Sequence, residues 1–526
     1  MLVHRKQLGP KLDKPNRFNL GGLIKRKMLW RRSIDDSISS QNHYQVDCHE
    51  LPSETAHYLL TASDGHYTHV SPAQDSYCAA AECILLQNSE MTCHTEEVDP
   101  LCCSEEVEQH EETPFDPKNE ENISEYHVGG YCPVKIGDHF CSDRCRYKVL
   151  RKLGWGHFST VWLALDLDGS FVALKVVKLG KNYAEAAADE IKILKNIGAS
   201  PKIVALLDSF SITTPLGTHV AMVFELMGEN MLHLIYKKKA ERYSFKMLHK
   251  PVLPPVVPLP MVKLIALQLL QSVDHMHRHG IIHTDIKPEN VLMTYEGAIP
   301  DSVRAAKPTP TFRILPLRPL AMSVEEMCSC PMTVKVADLG NATFSSDHFS
   351  DHIQTRQYRA PEVILRHKSW GASADVWLIG CLIFELITGD FLFDPHDGAN
   401  FSKDEDHMAQ IIELLGEFPL AKYLSDCSKA SALFDTSRSL HNIRQLKFWS
   451  LEDVFAEKYK FDRNDTDMLL ASDLIRKCLK YNLHERYDCA SLMSHPWFSS
   501  NLCYDKAALE SLPNRNNEIP GFTREE

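Results

Sequence analysis

Eight residues near the middle of the chain, His283-Thr284-Asp285-Ile286-Lys287-Pro288-Glu289-Asn290, restrict what it can fold into more than any other stretch. They place a carboxylate, a cation and a carboxamide on a short loop. Asp285 is suited to accept a proton from a substrate hydroxyl, and Asn290, five positions later, to hold a metal ion. The hydrophobic pattern changes character before this loop is reached. Up to residue 230 it alternates, predicting strands over 147–153, 159–165, 171–177, 204–210 and 220–226. One helix interrupts them at 183–197, with Ile191, Leu194 and Ile197 on one face. From 229 the spacing is helical, at 229–240, 261–280, 373–389, 406–416 and 467–480. The expected fold class is α+β with two lobes: a small antiparallel sheet carrying one helix, then a larger, mainly helical lobe.

At 526 residues the chain exceeds a single core. The expected divisions are an N-terminal extension (1–125), a sheet lobe with its lead-in segment (126–228), a helical lobe (229–498) with insertions near 236–260 and 294–332, and a C-terminal tail (499–526). Residues 1–32 hold ten Lys or Arg against the single acid Asp13, a solvated basic tail or alternatively a presequence. Residues 33–125 are polar and acidic without a sustained period, which reads as largely disordered. The second insertion holds six prolines and no helical period. A net charge of −13 argues against a general nucleic-acid binder, and no run of 18 apolar residues offers a membrane span. Sixteen scattered cysteines read as reduced thiols. Cys132, Cys141 and Cys145, with His139 nearby, lack the paired spacing of structural zinc sites, so ordinary thiols are expected and zinc is the alternative. The expectation is a soluble intracellular monomer with neither membrane nor direct nucleic-acid partners.

Four further motifs carry chemistry. Gly154-Trp155-Gly156 breaks a hairpin; two glycines let backbone amides approach phosphate oxygens, although a plain turn would look the same. Lys175 sits within an apolar strand, where an unpaired ammonium is costly, and Glu190 on the following helix is its natural partner. Asp338-Leu339-Gly340 ends a strand, placing an acid beside a flexible glycine as a metal ligand requires. Ala360-Pro361-Glu362 follows, after a loop able to receive a peptide.

Their order, and the elements they fall on, resemble the protein kinases. The resemblance implies a bilobal protein-kinase fold with ATP and Mg²⁺ between the lobes. Leu153, Gly154 and Gly156 would cover the nucleotide, and Val161 and Ala173 would lie against its adenine. Lys175, held by Glu190, would orient the phosphates, and Asp338 and Asn290 would hold magnesium. Asp285 would take the substrate proton and Lys287 would steady the transferring phosphoryl. By the same resemblance Asp375 steadies the loop and Arg486 pairs with Glu362.

Longer strings are similar to the SR-protein-specific kinase family over about residues 129–498, outside the insertions. They are Gly130-Tyr131-Cys132-Pro133-Val134-Lys135-Ile136-Gly137-Asp138, the run from Leu153 through Leu163, Ile281 through Asn290, Ala337 through Ala342, and Gln354-Thr355-Arg356-Gln357-Tyr358-Arg359. Thr284 stands where most kinases carry Arg, and that departure is itself a trait of the family. The family phosphorylates serines in Arg-Ser repeats of splicing factors, which implies Arg-Ser-rich protein partners and residence in cytoplasm and nucleus. The run from Asp390 to Glu417 carries eight acids against Lys403, a charge pattern that would concentrate an arginine-rich peptide. By resemblance Asp390, Asp406, Glu413 and Lys447 form the docking groove. Losing the Arg at Thr284 removes a common anchor for an activation-loop phosphate, so activity without such phosphorylation is expected. Thr343-Phe344 replaces the Cys-Trp that usually follows Asn341-Ala342 in the family. The alternatives are a related splicing-factor kinase acting on other basic peptides, and a silent scaffold that binds Arg-Ser proteins.

Overall fold

The computed structural model describes residues 121–246, 254–295, 332–416, 421–500 and 502–523. Residues 1–120 of the extension, 247–253 of the first insertion, 296–331 of the second and Glu417 of the acidic run lie outside the described residues.

The alternating segments pair into one antiparallel sheet. Its strands are β1 (His139–Cys141), β2 (Arg146–Gly156), β3 (Ser159–Leu165), β4 (Phe171–Val177), β5 (Leu206–Thr214) and β6 (Gly217–Glu225), in the order β1-β2-β3-β4-β6-β5. β1 was not foreseen, because three residues are too few to show a period. Alternation along β4 sends Val172, Leu174 and Val176 into a core with Val149, Trp162, Ala164, Ala221 and Val223. The same alternation turns Ala173 and Lys175 to the other face, where Val161 lies directly across from Lys175. Helix α1 (Lys181–Ile197) follows β4 and buries Ala187, Glu190, Ile193, Leu194 and Ile197, so the one charge on its buried stripe is Glu190.

The lead-in segment starts before its expected bound at 126, inside the stretch read as largely disordered: Glu121 is buried against Lys152, which ties residues 121–125 to the sheet. Tyr131, Cys132 and Val134 of the lead-in segment are buried. Burial, with a contribution from Asp138, pushes the Cys132 thiol up to about 12, as expected of a core thiol. Among the described residues no three His, Cys, Asp or Glu side chains form a metal-holding group.

The helical lobe contains α2 (Met231–Lys246), α3 (Leu259–Arg278), α4 (Ser373–Thr388), α5 (Lys403–Leu415) and α6 (Thr466–Cys478). All sixteen residues of α4 are buried, as an almost wholly apolar helix requires. Its first free amides are covered by the C-terminal tail: Ala372 N–H and Ser373 N–H donate to the carbonyls of Gly521 and Phe522 at 2.9 and 3.0 Å. Its last turn closes through Gly389 (φ 77°), whose N–H donates to Glu385 O. α2 runs past its predicted end at 240, and the stretch also read as the start of an insertion is tied down within it: Lys239 Nζ donates to Gly389 O at 2.8 Å and to Asp390 Oδ1 at 3.0 Å.

Four short strands complete the lobe. β7 (Ile281–Ile282) pairs with β10 (Thr343–Phe344), and β8 (Val291–Tyr295) pairs with β9 (Met332–Val336). Thr294 and Tyr295 face Thr333 and Met332, so both margins of the second insertion belong to strands. The 283–290 loop is the connection from β7 to β8, and Asp338 follows β9. The pairings therefore bring them together, and Ala337 N–H donates to Asn290 O at 2.9 Å. No described helix is long and apolar enough to cross a membrane.

Candidate active site

The loop hangs from one buried carboxylate. Asp375, on the first turn of α4 and without solvent exposure, accepts from His283 N–H and from His277 Nε2 on Oδ2, at 2.8 and 2.9 Å. Its Oδ1 accepts from Thr284 N–H at 2.8 Å. Presenting two successive amides to one carboxylate requires a sharp bend, and Thr284 takes it with φ 68°. The Thr284 hydroxyl then donates to Asn341 O at 2.8 Å, which joins the loop to the segment after Asp338. Asn290 Nδ2 donates to Asp285 O at 2.9 Å and leaves the carboxamide oxygen as the group able to meet a cation.

Asp285 is held on both oxygens. Oδ1 accepts from Thr355 Oγ1 at 2.6 Å and from Thr355 N–H at 3.2 Å, and Oδ2 lies 2.8 Å from Lys287 Nζ. Lys287 Nζ also donates to Thr355 Oγ1 at 3.0 Å, closing a three-membered arrangement of acid, cation and hydroxyl. Burial works against the Lys287 ammonium, but Asp285, together with Glu289 and Asp338, raises Lys287 above the usual lysine value.

Across the cleft, Lys175 Nζ donates to both Glu190 oxygens at 3.0 and 2.9 Å and to Asp338 Oδ1 at 3.2 Å. Desolvation opposes the ammonium, yet Asp338 and Glu190 together lift Lys175 above its ordinary value. Lys175 in turn holds the Asp338 carboxyl below the usual range. Burial pushes Glu190 the other way, above the usual carboxylate range, against the Lys175 charge and its two hydrogen bonds, which favour the carboxylate. Asp338 has φ 58° and its side chain is half exposed, so the carboxylate faces the cleft. Above it Leu153 is half-buried at the end of β2, Gly154 pairs with Val161 and Gly156 with Ser159. A Cβ at Gly154 or Gly156 would meet nothing within 4 Å, so the space a phosphate-binding turn needs is open.

The segment between Asp338 and Glu362 is fixed by contacts within the chain. Arg356 pairs with Asp404 of α5, and Arg359 donates twice to Gln354 O. Gln354, at φ 70°, accepts from Ala360 N–H and donates to Ala374 O. Glu362 and Arg486, both without solvent exposure, form a bidentate pair at 2.5 and 3.0 Å.

The four residues assigned to docking are unequal in position. Asp390 is buried between Lys239 and Lys458 and accepts from Tyr459 Oη at 2.9 Å. Asp406, also buried, accepts from His396 N–H and Gln410 Nε2. Glu413 is partly exposed two turns further along α5 and accepts from Lys447 N–H at 3.3 Å, leaving the Lys447 side chain in solvent. Three contributors were missed in the sequence: Thr355, His277 and Glu405. Glu405 holds residues 442–443 against α5 through Asn442 and Ile443. Thr355 lies in a recognised string, but nothing local marks its hydroxyl as facing Asp285. His277 looks like one more basic residue at a helix end.

The comparisons with known proteins agree with this geometry. Residues 147–498 match the protein kinase domain family. "Protein kinase dsk1" of Schizosaccharomyces pombe is 35% identical, over 77% of this chain and 90% of that protein. "Serine/threonine-protein kinase SRPK" of Physarum polycephalum is 39% identical, over 73% of this chain and 92% of that protein. "SRSF protein kinase 3" of Mus musculus is 31% identical, over 73% and 91% respectively. With the cleft lysine, the loop acid and a Thr-bearing loop all in place, the chain belongs to the SR-protein-specific kinase family of serine/threonine protein kinases.

Proposed function

We propose that the protein transfers the γ-phosphoryl of ATP to serines in Arg-Ser-rich splicing factors, and does so without a phosphorylated activation loop. The observation that carries the reading is that Lys175–Glu190–Asp338 and Asp285–Lys287–Thr355 are both assembled by contacts within the chain. Lys175 is charged and aimed into the cleft, suited to the α- and β-phosphates. Asp338 and the Asn290 carboxamide oxygen are hard oxygen donors that fit Mg²⁺, which when bound neutralises charge developing on the phosphates. Asp285 orients the serine hydroxyl and takes its proton as the oxygen attacks, while Lys287 faces the transferring group. Arg356 and Arg359 are already engaged by Asp404 and Gln354, so neither waits for a loop phosphate. The name of the murine relative, an SRSF protein kinase, supports the substrate class. Glu413 lies partly exposed on α5, where a guanidinium group of a basic peptide can reach it, whereas Asp406, two turns earlier on the helix, is buried.

The test is transfer of radiolabelled phosphate from ATP to an Arg-Ser repeat peptide and to its Lys-Ser counterpart. The expected result is a clear preference for Arg-Ser, abolished in Asp285→Ala. Equal rates on the two peptides would overturn the substrate reading, and near-normal turnover by Asp285→Ala with ATP bound would overturn the catalytic one.

A further inference from the structure

The lead-in segment grips the glycine turn at both of its ends. Where β2 enters the turn, Lys152 is buried and pairs with Glu121, which also accepts from the Tyr126 hydroxyl. That contact falls where the β2–β3 register shifts, between Lys152 and Gly154, so it fixes the strand where its pairing is irregular. At the tip of the turn, the Tyr131 hydroxyl donates to Gly156 O at 2.7 Å. Tyr131 is 2% exposed, whereas Gly156 is exposed, so a rigid donor holds a mobile type of backbone.

Tyr131 is itself locked from several sides. Lys178 lies over its ring at 4.2 Å from the centroid, and Tyr126 packs against it at 5.6 Å. Lys178 pairs with Glu125 at 2.7 Å, and its backbone N–H donates to Phe158 O at 2.9 Å, on the outgoing side of the same turn. Leu179 N–H donates to Gly130 O at 2.8 Å, and this fastens the segment to the start of the α1 connection. Burial, helped by Glu121 and Glu125, pushes the Tyr131 phenol up to about 12, so it stays protonated and able to donate throughout the physiological range.

We propose that residues 121–134 act as a clamp on the phosphate-covering turn, with Tyr131 as the positioning residue whose hydroxyl holds Gly156 and thereby sets how tightly a nucleoside di- or triphosphate is retained. A glycine-rich turn without such a tie samples positions away from the phosphates, and a nucleotide must draw it down at its own cost. The tie holds the turn down in advance. This rests on the reading of Gly154–Gly156 as phosphate cover.

The test uses the full chain with Mg-ADP and Mg-ATP as probes, measuring nucleotide dissociation constants and steady-state constants on an Arg-Ser peptide. Tyr131→Phe keeps the ring, its packing and the Lys178 contact, and removes only the hydroxyl. The expected result is about three- to tenfold weaker ADP and ATP binding, the scale of one neutral hydrogen bond, with the peptide KM unchanged. A merely structural role would move the two substrates together. Gly154→Ala serves as the companion variant, because a Cβ there meets no protein atom within 4 Å and, on the phosphate-cover reading, stands between the backbone and the phosphates. Unchanged nucleotide affinity in Tyr131→Phe, with weakened affinity in Gly154→Ala, would overturn the clamp and leave the phosphate-cover reading standing. Unchanged affinity in both variants would overturn that reading as well. Equal losses for nucleotide and peptide in Tyr131→Phe would also overturn the clamp.

Discussion

Replacing Thr284 by Val isolates what its hydroxyl does. The side chain is 1% exposed and Val matches its shape, so packing and the β-branched strain at φ 68° are carried over unchanged. What disappears is the bond from Oγ1 to Asn341 O. A hydrogen bond lost inside a dry core costs about 1–3 kcal/mol when its partner is stranded. Asn341 is exposed, however, so water can reach its carbonyl and the low end, about 1 kcal/mol, applies. If that cost falls on the arrangement joining Asp285 to Asp338, turnover drops about fivefold. Thr284→Ser keeps the donor and is expected to stay within twofold of the parent (about 0.4 kcal/mol). The assay is kcat on an Arg-Ser peptide, paired with urea unfolding, before and after phosphatase treatment. Unchanged kcat and stability in Thr284→Val would refute the role assigned to the hydroxyl. Activity abolished by phosphatase, with the fold intact, would refute the claim that chain contacts alone hold the loop.

Two further perturbations test the frame around the site. Arg486→Met leaves Glu362 fully buried without its cation, and the expected loss is about 3–5 kcal/mol of unfolding free energy, read from a urea midpoint; a loss under about 1 kcal/mol would show the pair to be dispensable. Glu385, buried inside α4 beside Glu289 and Asp390, is pushed by burial up to about 8 from an ordinary 4.5, although the Tyr358 hydroxyl donates to it. Between those two values the folded protein keeps a proton that the unfolded chain has released, so stability should fall as pH rises from about 4.5 to about 8 and then level off. Glu385→Gln should remove that slope in thermal midpoints measured from pH 5 to 9, and an identical slope in the variant would locate the titration elsewhere.

Element types were legible wherever one physical signal dominated. The strand pattern identified β3 and β4 to the residue: β4 alternates buried and half-buried positions over most of its length, and β3 is a short apolar run buried over most of its length. The C-terminal end of α2 was not legible: residues after 236 also read as an insertion, and the tie from Lys239 to Gly389, 150 positions away, is one no local period records. The same holds at the site. Asp285, Lys175 and Asn290 stand out because a charge or carboxamide in that context needs a reason. Thr355, His277 and Tyr131 do not, since each acts through hydrogen bonds to residues distant in sequence. A hydroxyl in a loop and a tyrosine in a core are ordinary in sequence. Only the fold shows which groups they meet: Asp285, Asp375 and the Gly156 carbonyl.

Counting charges fails in a similar way along the acidic run. Eight acids between Asp390 and Glu417 suggest one continuous negative surface, but among the described ones the fold assigns Asp390, Asp404, Glu405 and Asp406 internal work. Asp390 closes the end of α4 between Lys239 and Lys458, and that second lysine is depressed to about 8 by burial even with Asp390 beside it. Asp404 binds Arg356 of the activation segment together with Lys429, and Glu405 holds the 442–443 strap. A carboxylate already paired by a buried cation adds little field outside the protein, because the pair is close to neutral at a distance. The attraction for an arginine-rich peptide must therefore come from fewer groups than the sequence suggests, with Glu413 and the exposed Asp397 the better placed. Asp390 can contribute only if a substrate guanidinium displaces a lysine that also ties α2 to α4. Because Asp404 and Glu413 share α5, the helix that would receive the peptide is also the one that anchors Arg356 beside Thr355 and Asp285. On the proposed docking reading, peptide binding and the catalytic acid would be linked through α5.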